Sequence, residues 1–222
     1  MDQTPAHDGH NPDLLRLMDR PFSAVVEVGC SRGALARAYR RAFPNTPYTG
    51  IEIDAGYADT ARKYCDRVLC GDIERLGGKE MESLFPSDCW VFGDTLEHLR
   101  DPWTVLRTIR QSISTSGQIL ACIPNAQHWS VIARLASGFF RYEDQGLLDR
   151  THLRWFTRIT MIELFQSTGF KVVEMLPRIF DEPMKEPFLP SVISLAVAAG
   201  TEGDIALRDC LPLQYVLRAV PA

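Results

Sequence analysis

Three carboxylates stand where apolar runs of this chain turn polar, and their spacing suggests what they hold. Glu27 lies in Val25-Val26-Glu27-Val28-Gly29-Cys30-Ser31-Arg32-Gly33, a buried strand running into a glycine-bearing turn and then a helix. Glycines let the main chain approach a ligand closely, and the first crossover of an open α/β sheet borders the crevice in which such sheets bind ligands. A dinucleotide site would show GxGxxG, with a pyrophosphate on the helix N-terminus. Here the glycines are Gly29 and Gly33, and a carboxylate precedes the first by two residues. A carboxylate there suits a cationic ligand, such as an amino acid with a free ammonium. Glu52 follows the apolar run Tyr48-Thr49-Gly50-Ile51, nineteen positions after Gly33, where a carboxylate can take both ribose hydroxyls. Asp72 follows Cys70-Gly71 and precedes Ile73, an acid for an adenine amino group and an aliphatic side chain for the ring face. Three strand ends in this order offer an adenosine site.

The elements that must position these groups are legible as alternating strands and helices. Residues 24–28, 48–53, 67–70, 89–93 and 118–123 read as five parallel strands, each ending near Gly, Asp or Pro. Residues 33–42 and 101–113 carry helical periodicity, the second with Asp101 as N-cap, Pro102 at the first helical position and Gly117 as its stop. A helix over 159–167, closed by Gly169, leads to a strand at 170–176, and the last strand covers 214–220. Between these two strands, 177–213 is an insertion holding five prolines, and its apolar stretch 192–199 is expected to pack as a helix. No linker or repeat divides the chain, so the expectation is one domain over 1–222, with an N-terminal helical extension over 1–21.

Composition narrows the classes. The 222 residues are 45% hydrophobic and 23% charged, ordinary globular proportions. A net charge of −4 argues against a wholly basic nucleic-acid surface. The six cysteines show no CxxC spacing and are read as reduced thiols. No apolar run reaches membrane-spanning length, and Met1 to Pro12 is polar. The expectation is a cytoplasmic protein with no membrane partner, a small-molecule ligand, and a homodimer left open.

At these residues the chain resembles class I S-adenosylmethionine-dependent methyltransferases, from about Val25 to Arg218. The resemblance implies an α/β, Rossmann-like sheet of seven strands, mostly parallel with the last antiparallel. It places Glu27, Gly29, Cys30, Ser31 and Gly33 at the methionine end of the cofactor, Glu52 and Ile53 at the ribose, and Asp72 and Ile73 at the adenine. Ser31 departs from the family's usual middle glycine. Asp94-Thr95-Leu96-Glu97-His98-Leu99 resembles the LEHL-type loop of small-molecule methyltransferases, which puts Asp94, Thr95 and Leu96 beside the methionine portion. Glu97 either faces the substrate or braces the turn.

After the fifth strand, Ile123-Pro124-Asn125-Ala126-Gln127-His128-Trp129 and Leu148-Asp149-Arg150-Thr151-His152-Leu153-Arg154-Trp155-Phe156-Thr157 resemble segments of bacterial methyltransferases of sugar and natural-product pathways. The stretch 126–158 is expected to form a lid. Its five arginines against three acids suit an anionic acceptor. Asn125, His128, Trp129, Arg150 and Arg154 are the substrate candidates; a salt-bridged brace is the other reading of the arginines. His98 or His152 is the candidate base for O-methylation, because imidazole titrates near neutrality. N-methylation and a catalytically silent cofactor-binding subunit are the rivals. Asp94, Glu97, His98 and His152 also resemble the carboxylate and histidine set of methyltransferases that use a divalent ion, although the favoured expectation is no metal.

Overall fold

Strands form where apolar and β-branched residues run together, and helices where caps and 3.6-residue periodicity coincide. The computed structural model of the protein describes residues 9–222; the first eight residues of the expected extension over 1–21 lie outside the described residues. Asn11 caps α1 (Pro12–Leu17) by accepting from the Asp13 and Leu14 amides. Then follow β1 (Val25–Val28), α2 (Ala34–Ala42), β2 (Tyr48–Glu52), α3 (Ala55–Ala61), β3 (Arg67–Cys70), α4 (Gly78–Glu82) and β4 (Cys89–Gly93). Asp101 caps α5 (Pro102–Ser112) through the Thr104 amide at 3.0 Å, as its sequence implies. β5 (Gln118–Pro124), α6 (Trp129–Ala136), α7 (Arg158–Ser167), β6 (Phe170–Arg178), α8 (Leu189–Ala198), α9 (Gly203–Cys210) and β7 (Gln214–Pro221) complete the order.

The seven strands form one sheet in the order β3-β2-β1-β4-β5-β7-β6. β1 to β5 pair in parallel, whereas β7 runs antiparallel to both β5 and β6. The reversal from β1 to β4 at the centre makes the switch point where open α/β sheets place their ligands. Helices cover both faces, so the central strands β1, β2, β4 and β5 are buried on both sides and read as apolar runs, whereas the edge strands β3 and β6 are largely half-buried or exposed. On one face Val26, Val28, Trp90, Phe92, Ile119 and Ala121 pack against Leu106 and Ile109 of α5 and Met161 and Phe165 of α7. On the other, Val25, Tyr48, Val91, Leu120 and Val216 meet Leu14 and Leu17 of α1 and Leu35 and Tyr39 of α2. Between β6 and β7 the expected helix starts three residues earlier than its apolar stretch, and α9 follows it. Among the described residues no helix is long and apolar enough to cross a membrane.

Candidate functional site

The C-terminal ends of β1 to β4 open into one cavity of about 1140 Å³. Its wall contains Glu27, Gly29, Cys30, Ser31, Glu52, Ile53, Asp72, Ile73, Asp94, Thr95 and His98. The three strand-end acids are thus brought to one crevice. This follows from topology, because parallel strands all deliver their C-terminal residues to the same edge.

The turn after β1 has an uncommon backbone. Gly29 has φ +73° and Gly33, which leads into α2, has φ +77°. A Cβ on Gly29 would stand 2.6 Å from Thr95 Oγ1, and that hydroxyl donates to the Val28 carbonyl at 2.9 Å. Ser31, where the resemblance leads one to expect glycine, holds φ +47°. Its amide donates to Glu52 Oε2 at 2.7 Å, while the Asp54 amide donates to Oε1 at 2.9 Å. Each oxygen of Glu52 so bonded keeps a further lone pair, and the carboxylate is aimed from both sides.

Glu27 is almost fully buried and accepts the Tyr48 hydroxyl at 2.8 Å. Burial pushes it up to about 8; the Tyr48 bond opposes this and the Glu52 charge adds to it. A cation placed beside it would restore its ionised form. Asp72 Oδ1 accepts the Glu74 amide at 2.9 Å, opening the short turn Ile73–Arg75 that sets Ile73 in the wall. Cys30 is a buried thiol; the adjacent Cys65 first, then burial, push it up.

At the far end of the crevice Asp94 adopts φ +53° and accepts from the Gln214 side-chain amide. Leu96 is fully buried in the core rather than in the cavity wall. Glu97 is also buried, and among the described residues neither carboxylate oxygen has a hydrogen-bond partner. Burial first, then the Asp94 charge and, more weakly, Asp149, push it well above the usual carboxylate range. His98 and His152 meet edge to face at 4.8 Å between ring centres. His98 lines the crevice and His152 does not; its Nε2 stands 4.0 Å from Glu97 Oε1. Burial lowers both imidazoles, and with the neighbouring His98 brings His152 to about 4.

Glu97, His98 and His152 are the three of the four metal candidates that come together, with ligand atoms within 4.8 Å of one another. Asp94 stands outside this set. Ligands sharing one ion at bonds of about 2.1 Å lie at most about 4.2 Å apart. As placed, the three ligand atoms lie within 4.8 Å of one another, so small side-chain shifts would bring them to such a spacing, while burial favours the neutral forms of the acid and of both imidazoles.

The five substrate candidates do not converge on the crevice. Asn125 is fully buried: its amide donates to the Asp209 and Pro212 carbonyls at 2.9 and 2.8 Å, and its oxygen accepts the Gln127 amide. It is an anchor that ties the end of β5 to the end of α9. His128 is buried with Nε2 3.2 Å from Glu182, and the Trp129 indole donates to that same carboxylate at 3.0 Å. Trp129 lines a separate cavity of about 440 Å³ with Arg134, Glu143, Leu147 and Met184. Arg150 reaches outward to Asp144, and Arg154 donates to the Arg100 carbonyl. Of the stretch 126–158, Thr151 and Leu153 reach the crevice. Residues that sequence reasoning passed over also line it, among them His10, Asn11, Leu14, Tyr57, Arg100 and Arg178. The Asn11-Pro12 helix start was the available signal for α1; nothing local marks Arg178, which is held by Asp13 at 3.2 Å and by Gln214 at 2.6 Å.

Comparison with known proteins agrees with this architecture. Residues 9–175 match the family model described as a methyltransferase domain. A malonyl-[acyl-carrier protein] O-methyltransferase of Priestia megaterium is 27% identical over 101 residues, 44% of this chain and 35% of that protein. The match thus spans about a third of that relative's length. Among solved structures, magnesium protoporphyrin IX methyltransferase from Synechocystis, with bound SAH, superimposes with a TM-score of 0.61 at 11% identity, covering 95% of this chain and 81% of its own. The mitomycin 7-O-methyltransferase superimposes with a TM-score of 0.57 at 15% identity, covering 95% and 53%. With the family model spanning most of its length, this chain belongs to the methyltransferase-domain family.

Proposed function

We propose that the protein transfers a methyl group from S-adenosylmethionine to an oxygen of a small polar acceptor, in a natural-product or saccharide pathway. The observation that carries the reading is the alignment of Glu27, Glu52 and Asp72 at successive strand ends on one cavity, with His98 in the same wall. When bound, the cofactor supplies a methyl group already made electrophilic by its sulfonium. Glu27 is the partner for the ammonium, Glu52 for the ribose hydroxyls, and Asp72 with Ile73 for the adenine. Asp94 and Thr95 border the methionine end.

The acceptor then enters beside His98, whose exposure to the crevice makes it the base in preference to His152. Holding the acceptor oxygen in line with the methyl group supplies much of the rate, and removal of its proton supplies a further ~10² to 10⁴. Arg75, Arg100 and Arg178, rather than Arg150 and Arg154, are the arginines of the described residues that line the wall, and an anionic acceptor would meet a guanidinium there. The stretch 126–158 serves as the cover, through Thr151 and Leu153. The name of the Priestia relative and that of the mitomycin enzyme, both O-methyltransferases, support oxygen over nitrogen.

The test is calorimetry with S-adenosylmethionine and S-adenosylhomocysteine, followed by transfer of a labelled methyl group to hydroxylated and aminated small molecules. Binding with turnover on hydroxyl acceptors is the expected result. Binding without turnover on any acceptor favours a silent subunit, and no binding removes the cofactor assignment.

A further inference from the structure

The base reading leaves one question that its chemistry cannot avoid: which nitrogen of His98 carries the proton. A neutral imidazole has one N–H and one lone pair, and only the lone pair can take a proton from an acceptor. His98 Nδ1 lies 3.2 Å from the Thr151 carbonyl oxygen and 3.0 Å from Thr151 Oγ1. A carbonyl oxygen only accepts. The hydroxyl has a single hydrogen, and it points to Asp149 Oδ1 at 2.7 Å. Towards His98, the hydroxyl therefore offers a lone pair. Both neighbours of Nδ1 are acceptors, so Nδ1 is the nitrogen that carries hydrogen.

Asp149 is the origin of this order. It is almost fully buried, and its Oδ1 also accepts the Thr151 amide at 2.7 Å, which closes a tight turn over residues 149–151. That turn holds both the hydroxyl and the carbonyl of Thr151 against one imidazole nitrogen. We propose that Asp149, acting through the hydroxyl of Thr151, is the positioning residue that fixes His98 with its proton on Nδ1 and its lone pair on Nε2. The proposal rests on the reading of His98 as base. In the reaction, the acceptor's O–H bond breaks as Nε2–H forms, and the oxygen takes the methyl group while the C–S electron pair stays on sulfur. The imidazolium then releases its proton to water. During its brief life both N–H groups of His98 are donors, and the buried carboxylate two bonds away stabilises the charge, much as an aspartate behind a catalytic histidine does.

The experiment combines imidazole nitrogen NMR with kinetics on the full chain. In ¹⁵N-histidine protein without ligand, long-range ¹H–¹⁵N correlations are expected to show His98 with a pyrrole-like Nδ1 and a pyridine-like Nε2, assigned by loss of the signals in His98→Gln. Thr151→Val keeps the shape but removes one acceptor, and is expected to admit the Nε2–H form and lower kcat about tenfold with KM for the cofactor unchanged. Thr151→Ser restores the hydroxyl and is expected to restore both tautomer and kcat. A wild-type spectrum with the proton on Nε2 overturns the proposal, as does a Thr151→Val protein with wild-type tautomer and kcat. An unaltered Thr151→Val protein leaves the base reading standing; that reading falls separately if His98→Gln turns over at the wild-type rate.

Discussion

Glu27→Gln offers a direct measure of how costly the cofactor crevice is to fold. In the unfolded chain a glutamate titrates near 4.5, whereas burial pushes Glu27 to about 8 in the folded protein. The folded state therefore holds this proton more tightly than the unfolded state. Its stabilising effect is complete below pH 4.5 and fades as pH rises, until both states are ionised above about 8. Each pH unit in that window costs about 1.4 kcal/mol. Relative to acid pH, the wild type loses on the order of 3 kcal/mol by pH 7 and 5 kcal/mol above pH 8. Glutamine has nothing to titrate, and its side-chain oxygen can still accept the Tyr48 hydroxyl, which lies 2.8 Å from the native carboxylate. Thermal denaturation of both proteins from pH 4.5 to 9 is the assay. The two melting temperatures should nearly coincide at the acid end and part by roughly 10 °C or more at the alkaline end, with the variant higher. The other buried acids cancel in the difference. Calorimetry adds a second reading: cofactor binding near neutral pH should release a proton in the wild type and none in the variant. Parallel melting curves across the whole range would refute the assignment of a buried, neutral Glu27.

Glu52→Ala should weaken S-adenosylmethionine binding by roughly 100-fold or more, since charged hydrogen bonds are worth about 1.5 to 3 kcal/mol each and the carboxylate would meet two ribose hydroxyls; unchanged affinity in calorimetry removes Glu52 from the ribose site. Gly29→Ala forces a side chain into positive φ and against Thr95, so chemical denaturation should show a loss of roughly 2 kcal/mol or more. Asp209, buried and paired with Arg158 and Arg208 at 2.8 Å each, should cost roughly 2 kcal/mol or more when changed to Ala, whereas Arg150→Ala, on an exposed pair, should stay within about 1 kcal/mol. A chelator should leave turnover and melting temperature unchanged; loss of activity restored by Mg²⁺ or Mn²⁺ would reassign Glu97, His98 and His152 as ligands.

Much of this molecule was legible in one dimension because its decisive features are local. Apolar runs that end in Glu52 and Asp72, and the glycines around Glu27, mark strands and turns by residue type alone. In a parallel sheet, strand ends must share an edge, so order in sequence becomes proximity in space. The cap at Asp101 follows from a similarly short-range signal, whereas the reversed final strand was implied only by the family resemblance. The departure at Ser31 was visible as a residue type, but the backbone it adopts and the bond from its amide to Glu52 were not.

Tertiary structure decided the polar residues after β5, where a side chain's role depends on partners far along the chain. Asn125 looks like a substrate contact beside the crevice, yet carbonyls 84 and 87 residues away satisfy its amide and take it out of reach. Arg150 sits among motif residues and turns outward to Asp144, while Arg178, unmarked by any motif, comes into the wall from the end of β6. His98 and His152 are chemically alike in sequence; packing puts one in the crevice and closes the other against Glu97. Residue type and spacing specify which groups can bind or take protons. Only the folding of distant segments against one another determines which of those groups keeps a free face, because that face is whatever long-range hydrogen bonds and burial leave unused.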